Sequence, residues 1–301
     1  MQEADQGWIQ RFLSYLHHER RYSPHTISNY HRDLRALLEF CRQQDIQSWQ
    51  DLGSFQVRQF TAAGHRKGLS PRSLQRQLST LRSFFRYLNR EHVISANPAV
   101  EVRAPKAPKR LPKTMDVDMM GRLLEMPHND PLSIRDWAIM ELLYSSGLRL
   151  AELVSLDMTD VDLSDRTVRV TGKGNKTRIV PLGRFAGEAL AKWLQQRASM
   201  AGAGTAQAMF LSQQGRRISH RSVQARVKLW AKRQGLPVEV NPHLFRHSFA
   251  SHLLESSGDL RGVQELLGHA DISTTQIYTH LDFQHLARIY DRSHPRSKRR
   301  R

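Results

Sequence analysis

The chain has 301 residues, of which 39% are hydrophobic and 25% are charged, and this composition is typical of a soluble globular protein with room for two ordinary domains. It contains no apolar run of the roughly 18 residues that a membrane span needs, no signal-peptide layout at its N-terminus, and one cysteine, Cys41, which excludes an intramolecular disulfide and a multi-cysteine zinc site. We therefore expect a cytosolic protein. The net charge is +18, with 18 Lys and Arg against 9 Asp and Glu in residues 1–110 and 28 against 19 in residues 111–301. An excess in both parts predicts a polyanionic partner, DNA or RNA, although a merely solubilising surface is the alternative.

Four helices are predicted in the first hundred residues, each from apolar residues at helical spacing. Two of them begin with Ser-Pro, which suits an N-cap followed by proline in the first turn. The segments are GWIQRFLSYLHHER (7–20), SPHTISNYHRDLRALLEFCRQQ (23–44), SFQVRQFTAAGHRKG (54–68) and SPRSLQRQLSTLRSFFRYLNREH (70–92).

The fourth predicted helix has an arginine face, and a basic linker follows it. The face comprises Arg72, Arg76, Arg82, Arg86 and Arg90. Such a face either is simply solvated or contacts a DNA backbone, and the sequence leaves both possibilities open. Residues 96–114 contain four prolines and five basic residues, a composition that predicts a linker between two domains.

The second part is predicted to be mostly helical with one small antiparallel sheet. The segments RTVRVTG and TRIVPLG alternate in polarity and are joined by KGNK, which indicates a β-hairpin. Helical patterns cover residues 115–125, 133–145, 184–200, 219–234, 243–256, 259–267 and 273–278, and a short amphipathic helix is predicted in LDFQHLARIYDR (281–292). The predicted fold class is therefore mainly α with a small antiparallel β-sheet.

One set of polar residues in the second part could perform chemistry. It comprises Arg149, Lys173, His243, Arg246, His269 and Tyr278. Singly, each could be an ordinary surface or packing side chain. Together they suit phosphodiester transfer, since guanidiniums can bind non-bridging oxygens, histidines and lysine can move protons, and a tyrosine can be the nucleophile.

Two other kinds of site do not fit the spacing. His243 and His247 are four residues apart, but no glutamate follows His243 as a metalloprotease helix requires, so zinc is not expected. The segment GKGNKT lacks the spacing of a phosphate-binding loop and lies in the predicted hairpin. We expect no metal ion and no cofactor.

Tyr278 has two competing interpretations, packing and attack. A free phenol has a pKa of about 10, so roughly one in a thousand is ionised at pH 7. A pocket with two arginines and a histidine would lower that pKa. Tyr278 lies in STTQIYTH, among threonines and histidine rather than on an apolar stripe, which favours attack without deciding it.

In their order and spacing, these six residues resemble the catalytic set of the tyrosine recombinase family. The resemblance covers nearly the whole chain and is most specific in ESSGDLRGVQELLGHADISTTQIYTHLDFQHLA, in APKAPKRLPK and in HPRSKR. Within the family, the similarity is closest to enzymes that resolve chromosome dimers. It implies a two-domain DNA clamp, with a four-helix core-binding (SAM-like) domain at 1–95, a linker at 96–114 and a catalytic domain at 115–301 that ends in a docking segment.

The resemblance also implies a role for each residue. Tyr278 attacks the scissile phosphate and forms a 3′-phosphotyrosyl link, while Arg149 and Arg246 bind the non-bridging oxygens. Lys173 protonates the leaving 5′ oxygen, His243 exchanges a proton with Tyr278, and His269 hydrogen-bonds the phosphate. Glu152 either orients Arg149 from the next turn of a helix or is an ordinary surface or capping residue.

The partners that the resemblance implies are double-stranded DNA at a recombination site, a related recombinase in a tetramer of two plus two protomers, and a DNA translocase. The face formed by Phe283, Leu286, Ile289 and Tyr290 would dock on a neighbouring protomer, or else pack on its own domain. Two alternatives to this function stay open on the sequence alone. One is a phage or transposon integrase, or a topoisomerase, with the same chemistry; the other is a non-catalytic architectural DNA-binding protein.

Overall fold

The computed structural model describes residues 3–106, 114–172, 176–201 and 207–267 and divides into two compact units, Met1–Arg110 and Leu111–Arg301. The described part of the first unit consists of α1 (Glu3–His18), α2 (Pro24–Gln43), α3 (Ser54–Arg66) and α4 (Pro71–Arg90), with a one-turn 3-10 helix at Trp49–Asp51. Within the described ranges, no helix has the length and apolar character that crossing a membrane requires.

The two Ser-Pro helix starts of the first unit are confirmed. Ser23 Oγ accepts a hydrogen bond from the Thr26 N–H, and Ser70 Oγ accepts one from the Ser73 N–H, with a proline in the first turn of each helix. The hydroxyl satisfies a backbone donor that has no partner within the helix, and proline has no such donor to satisfy. Local sequence alone therefore sets where α2 and α4 begin.

Aromatic rings fill the core of the first unit. Phe12, Trp49 and Phe84 are almost completely buried, and the Phe84 ring lies 5.3 Å from Phe12 and 5.0 Å from Trp49 between centroids. The ring pairs are tilted or edge-on, the arrangements that aromatic quadrupoles favour. This core joins α1, α4 and the 3-10 turn into one unit.

Three arginines of the predicted α4 face are occupied by contacts within the protein. Arg76 forms an ion pair with the buried Asp33, which also accepts a hydrogen bond of 3.0 Å from Thr80 Oγ1. Arg90 pairs with Glu91 at 2.8 Å and lies over the Tyr15 ring.

Arg82 holds the chain that follows α4. Its guanidinium donates to the carbonyl oxygens of Ala99 and Val102 at 3.0 and 2.6 Å, and Ala99 and Val102 are buried in the core. The first part of the predicted linker is thus packed on the first unit. Arg72 and Arg86 are exposed, and neither forms an ion pair with a described residue. Of the five arginines on this face, these two are therefore the best candidates for contact with DNA.

The described part of the second unit is mostly helical, as predicted. Its elements are α5 (Val117–Leu124), α6 (Pro131–Ser146), α7 (Leu150–Ser155), β1 (Val161–Asp162), β2 (Thr167–Thr171), β3 (Thr177–Pro181), α8 (Arg184–Met200), α9 (His220–Arg233), α10 (Pro242–Ser257) and α11 (Leu260–Leu267). The strands form an antiparallel sheet in the order β1-β2-β3, with Val168 opposite Val180, so the predicted hairpin is confirmed. The two-residue β1 was not predicted. The helices predicted at 273–278 and 281–292 lie outside the described residues.

Helix α6 is the centre of the second unit, where it packs against α8, α9 and α10. Its end is tied to the end of β3, since Ser146 Oγ donates to the Pro181 carbonyl and Ser145 Oγ accepts from the Gly183 N–H, both at 2.8 Å. The helix ends at Gly147, whose φ of 58° is left-handed. The chain turns there into α7, and this turn begins the candidate site.

Candidate active site

Arg149 is the N-cap residue of α7, two residues after Gly147. Its N–H donates to Glu152 Oε2 and its Nη1 donates to Glu152 Oε1, both at 2.8 Å. The Glu152 side chain is 3% exposed, whereas the Arg149 side chain is 39% exposed. The carboxylate therefore fixes the guanidinium from the buried side while solvent or a bound anion can reach it from the other. Glu152 therefore both caps α7, by accepting from the Arg149 N–H, and orients the Arg149 guanidinium. Only its interpretation as a surface residue is wrong, because Glu152 is buried.

A second arginine, Arg178 of β3, also holds Glu152. Its Nη1 and Nη2 donate to the two carboxylate oxygens at 2.9 and 3.0 Å, and its Nε donates to the Leu266 carbonyl at 3.1 Å. Burial raises the pKa of Glu152, but the hydrogen bonds and charge of Arg178, together with the bonds from Arg149, outweigh it and hold the pKa below its ordinary value. Glu152 is therefore a carboxylate at neutral pH.

Arg246 lies on α10 and reaches back to the same turn. Its Nη1 donates to the Gly147 carbonyl at 2.6 Å and its Nη2 donates to the Leu267 carbonyl at 2.5 Å. Burial, and then the nearby positive charge of Arg149, lower the pKa of Arg246 below its ordinary value, to about 10. The guanidinium is still protonated at neutral pH. Its bond to the carbonyl of Gly147, two residues before Arg149, places the two predicted phosphate-binding arginines at one turn.

His243 is in the first turn of α10, three residues before Arg246, and its side chain is exposed. Asn241 caps this helix by accepting a hydrogen bond from the Leu244 N–H, and Pro242 occupies the first turn. Residues three apart lie on the same side of a helix. The fold thus places His243 and Arg246 on one face of α10, with the histidine accessible.

The other three predicted residues, Lys173, His269 and Tyr278, lie outside the described residues, but the chain on one side of two of them is described. Gly172 precedes Lys173 and donates from its N–H to the Lys176 carbonyl at 2.8 Å, which closes the root of the hairpin loop. Leu267 ends α11 two residues before His269, and its carbonyl is held by Arg246.

The described part of the site has an excess of positive charge. The guanidiniums of Arg149, Arg178 and Arg246 surround the single carboxylate of Glu152, and all four charges act on one another. Where guanidiniums outnumber carboxylates in a partly buried site, the net positive charge attracts oxyanions, and a guanidinium can bind a phosphate through two parallel hydrogen bonds. In the described ranges, no group of three or more His, Cys, Asp or Glu side chains could hold a metal ion.

Arg178 was missed by the sequence analysis, although the sequence contained a signal. In TRIVP, Arg178 alternates with exposed residues and lies on the same side of the strand as the buried Val180. A charged residue on the buried face of a strand requires a partner. That partner, Glu152, is 26 residues away, so the pattern alone could not identify it.

Comparisons with known proteins identify the family of this chain. The profile of the phage integrase family matches residues 113–285, and that of the phage integrase N-terminal SAM-like domain matches residues 9–92. The chain belongs to the phage integrase family and is a tyrosine recombinase. The predicted fold class and enzyme class are thereby confirmed, and the non-catalytic architectural alternative is wrong.

Relatives of this recombinase are similar along almost their whole length. Tyrosine recombinase XerC of Alcanivorax borkumensis is 53% identical over 298 residues, which cover 97% of this chain and 95% of that protein. XerC of Shigella flexneri is 53% identical over 291 residues, which cover 97% of each protein.

Among solved structures, XerH recombinase bound to palindromic difH DNA has a TM-score of 0.74 at 24% identity, covering 94% of each chain, and supports the fold of the recombinase. XerA recombinase is 28% identical with a TM-score of 0.50, covering 97% of this chain and 99% of that one.

Proposed function

We propose that this recombinase is XerC-like and cuts and rejoins a double-stranded dif-like site, so as to resolve dimers of chromosomes and plasmids. The similarity to XerC proteins supports the XerC-like assignment. The mechanism rests on one observation, the convergence of Arg149 and Arg246 on the turn after α6. Two fixed guanidiniums stabilise the negative charge that grows on the non-bridging oxygens of a phosphodiester during attack.

In the proposed cleavage step, the Tyr278 oxygen attacks phosphorus and the bond to the 5′ oxygen breaks. The DNA is left linked to the tyrosine through its 3′ phosphate. Lys173 gives a proton to the departing 5′ oxygen, and His243, which is exposed beside Arg246, accepts the tyrosine proton.

In the proposed rejoining step, the 5′-hydroxyl of the partner strand attacks the phosphotyrosine and releases Tyr278. His269 donates a hydrogen bond to the phosphate in both steps. The phosphotyrosine retains the energy of the original bond, so no ATP is consumed. The two guanidiniums supply the positive charge at the phosphate, so the proposed mechanism uses no metal ion.

The proposed assembly contains two protomers of this chain and two of a XerD-like recombinase on one recombination site, and the DNA translocase FtsK is a proposed further partner. The assembly would act on DNA in the cytoplasm. The positive charge of both parts of the chain, 18 basic against 9 acidic residues before residue 111 and 28 against 19 after it, supports contact with DNA by each.

The proposed chemistry can be tested with a duplex that carries a dif-like site and a nick near the scissile phosphate. After cleavage, the short fragment that carries the free 5′-hydroxyl diffuses away, so the strand cannot be rejoined and the covalent adduct accumulates. We expect wild-type protein to form the adduct in excess chelator, Tyr278→Phe to form none while still binding the duplex, and Tyr22→Phe, in the first unit, to behave as wild type. An adduct on Tyr278→Phe at wild-type yield would rule out this nucleophile, and a strict need for Mg²⁺ in adduct formation would rule out the metal-free mechanism.

A further inference from the structure

Arg178 is a deeply buried cation at the site, and nothing in the proposed mechanism uses it. Its side chain is 7% exposed, and three of its N–H groups have acceptors: both oxygens of Glu152 and the carbonyl of Leu266. A side chain this buried, with three of its N–H groups turned to acceptors inside the protein, is not placed to bind a DNA phosphate itself. Whatever Arg178 contributes to the reaction, it contributes through the residues that it holds.

The first of these is Arg149, which Arg178 reaches through Glu152. Glu152 Oε1 accepts from Arg149 Nη1 at 2.8 Å and from Arg178 Nη1 at 2.9 Å. Glu152 is 3% exposed, so its orientation is set by these bonds and by the Arg149 N–H. Two arginines therefore share one carboxylate. Arg178 holds it from the buried side, and the partly exposed Arg149 guanidinium faces solvent, where an anion can reach it.

The second is the end of α11. The Leu266 carbonyl accepts from Arg178 and the next carbonyl, that of Leu267, accepts from Arg246. The last carbonyls of a helix have no acceptor role inside it, and cations bind well there. Two arginines therefore fix the end of the helix from which the chain continues to His269 and Tyr278.

The third is the root of the loop that carries Lys173. A methyl group added at Gly172 would lie 3.6 Å from Glu152 Oε1 and 3.8 Å from Arg178 Nη1, which is ordinary van der Waals distance. The Arg178–Glu152 pair thus lies directly against the residue that precedes Lys173. One buried ion pair thus bonds Arg149 and the end of α11 and lies near the residue that precedes Lys173.

We propose that Arg178 is a positioning residue of the recombination reaction, which holds Glu152 against Arg149 and fixes the end of α11, and so aligns the phosphate-binding site. This inference rests on the proposed function, because it assigns to Arg149 the binding of the scissile phosphate. Misplacing a catalytic group by about 1 Å can lower a rate by roughly a hundredfold.

The geometry also requires arginine rather than any cation. The guanidinium donates to Glu152 along two parallel bonds and to Leu266 along a third direction. A lysine ammonium is a point charge on a flexible stem and cannot reproduce that fork. Arg178→Lys therefore preserves the charge and removes the alignment, which separates a positioning role from simple neutralisation of Glu152.

The experiment measures single-turnover adduct formation at saturating protein on the nicked dif-like duplex, together with half-site affinity and thermal unfolding. We compare Arg178→Lys, Arg149→Lys and a matched control, Arg169→Gln, which removes an arginine of the neighbouring strand whose ion pair with Asp160 (3.1 Å) is exposed. Each is tested on the ordinary phosphodiester and on a methylphosphonate, in which a methyl group replaces one non-bridging oxygen and removes its charge.

For Arg178→Lys, we expect cleavage of the phosphodiester to slow about 10- to 100-fold, with half-site affinity within about threefold of wild type. On the methylphosphonate, Arg149 has less charge to stabilise, so the deficits of Arg178→Lys and Arg149→Lys should both shrink. Arg169→Gln should match wild type on both substrates.

Wild-type cleavage by Arg178→Lys, an equal deficit on both substrates, or a loss confined to DNA affinity would each overturn the inference. If Arg178→Lys does not fold, Glu152→Gln is compared with wild type on the same two substrates. Cleavage of the phosphodiester by Glu152→Gln at the wild-type rate would overturn the inference. Failure of the proposed function looks different: Arg149→Lys would then itself cleave the phosphodiester at the wild-type rate.

Discussion

At Gly147, both the backbone and the packing exclude a side chain. Its φ is +58°, and a Cβ atom there would lie 2.5 Å from Cδ1 and 2.8 Å from Cε1 of the Phe249 ring. Phe249 is three residues after Arg246 on α10, and the Gly147 carbonyl accepts a hydrogen bond from Arg246. One glycine thus allows α10 to approach the turn that carries Arg149.

We therefore predict that Gly147→Ala weakens both the fold and the reaction. A left-handed conformation costs a non-glycine residue about 1–2 kcal/mol, and displacing a packed ring adds roughly 1–3 kcal/mol. The matched control is Gly235→Ala, where φ is +64° but the space around a Cβ is open, so only the backbone cost applies. Denaturant unfolding and adduct formation measure the two effects, and equal losses in the two variants would contradict the packing argument.

At the same scale, the sequence points to residues whose side chains suit phosphate chemistry, and not to the residues that hold them in place. Arg149, His243 and Arg246 were identified because their residue types suit phosphate chemistry, and the structure brings the two arginines together. Arg178 was not identified because its role depends on Glu152, which is adjacent to it only in the folded chain. A side chain that positions another has no chemical signature of its own.

At the scale of elements, most helices were predicted closely because their ends are encoded locally, but the six-residue α7 was not predicted. Ser-Pro pairs begin α2 and α4, and left-handed glycines end α6 and α10. The strand β1 was missed because its two residues carry no period, and its pairing with β2 is a tertiary contact. Helix α6 was predicted although nearly all of its side chains are buried, because the segment between Pro131 and Gly147 has the length of a helix and includes the mostly apolar run WAIMELLY.

The C-terminal segment 281–292 is predicted to dock on a neighbouring protomer. Its apolar residues Phe283, Leu286, Ile289 and Tyr290 have the spacing of a helix that lies in an apolar groove, and we propose that the groove belongs to a neighbouring protomer. Burying a Phe or a Leu contributes about 1.5–3 kcal/mol, so replacing Phe283 and Leu286 with Ala should weaken assembly by two or more orders of magnitude.

The measurement is a gel-shift comparison of half-site and full-site occupancy with the partner recombinase present. Half-site binding should barely change, since these side chains would not touch DNA, and Gln284→Ala in the same segment should leave both unchanged. Equal losses at half site and full site would mean that the segment packs within its own domain.

For the whole molecule, the charge is the property with the widest consequence. The net charge of +18 is divided between the two parts of the chain. If about ten DNA phosphates are neutralised on binding, the logarithm of the association constant should fall with the logarithm of salt concentration at a slope near −9. The structure sharpens this expectation, because on α4 it leaves Arg72 and Arg86 exposed and without an ion pair to a described residue, while Arg76, Arg82 and Arg90 have partners in the protein.

We predict that replacing Arg72 and Arg86 together with Gln reduces the magnitude of the salt slope by about 2, because each phosphate contact contributes about 0.9 to it. The fold should be unaffected, since neither side chain supports the core. Arg42 and Arg58 are exposed arginines of α2 and α3, so their double replacement with Gln removes the same charge from the same unit. If the α4 face lies on the DNA, only the first pair changes the slope. A similar change from both pairs would mean that the first unit acts on DNA through its overall charge, without a defined contact face.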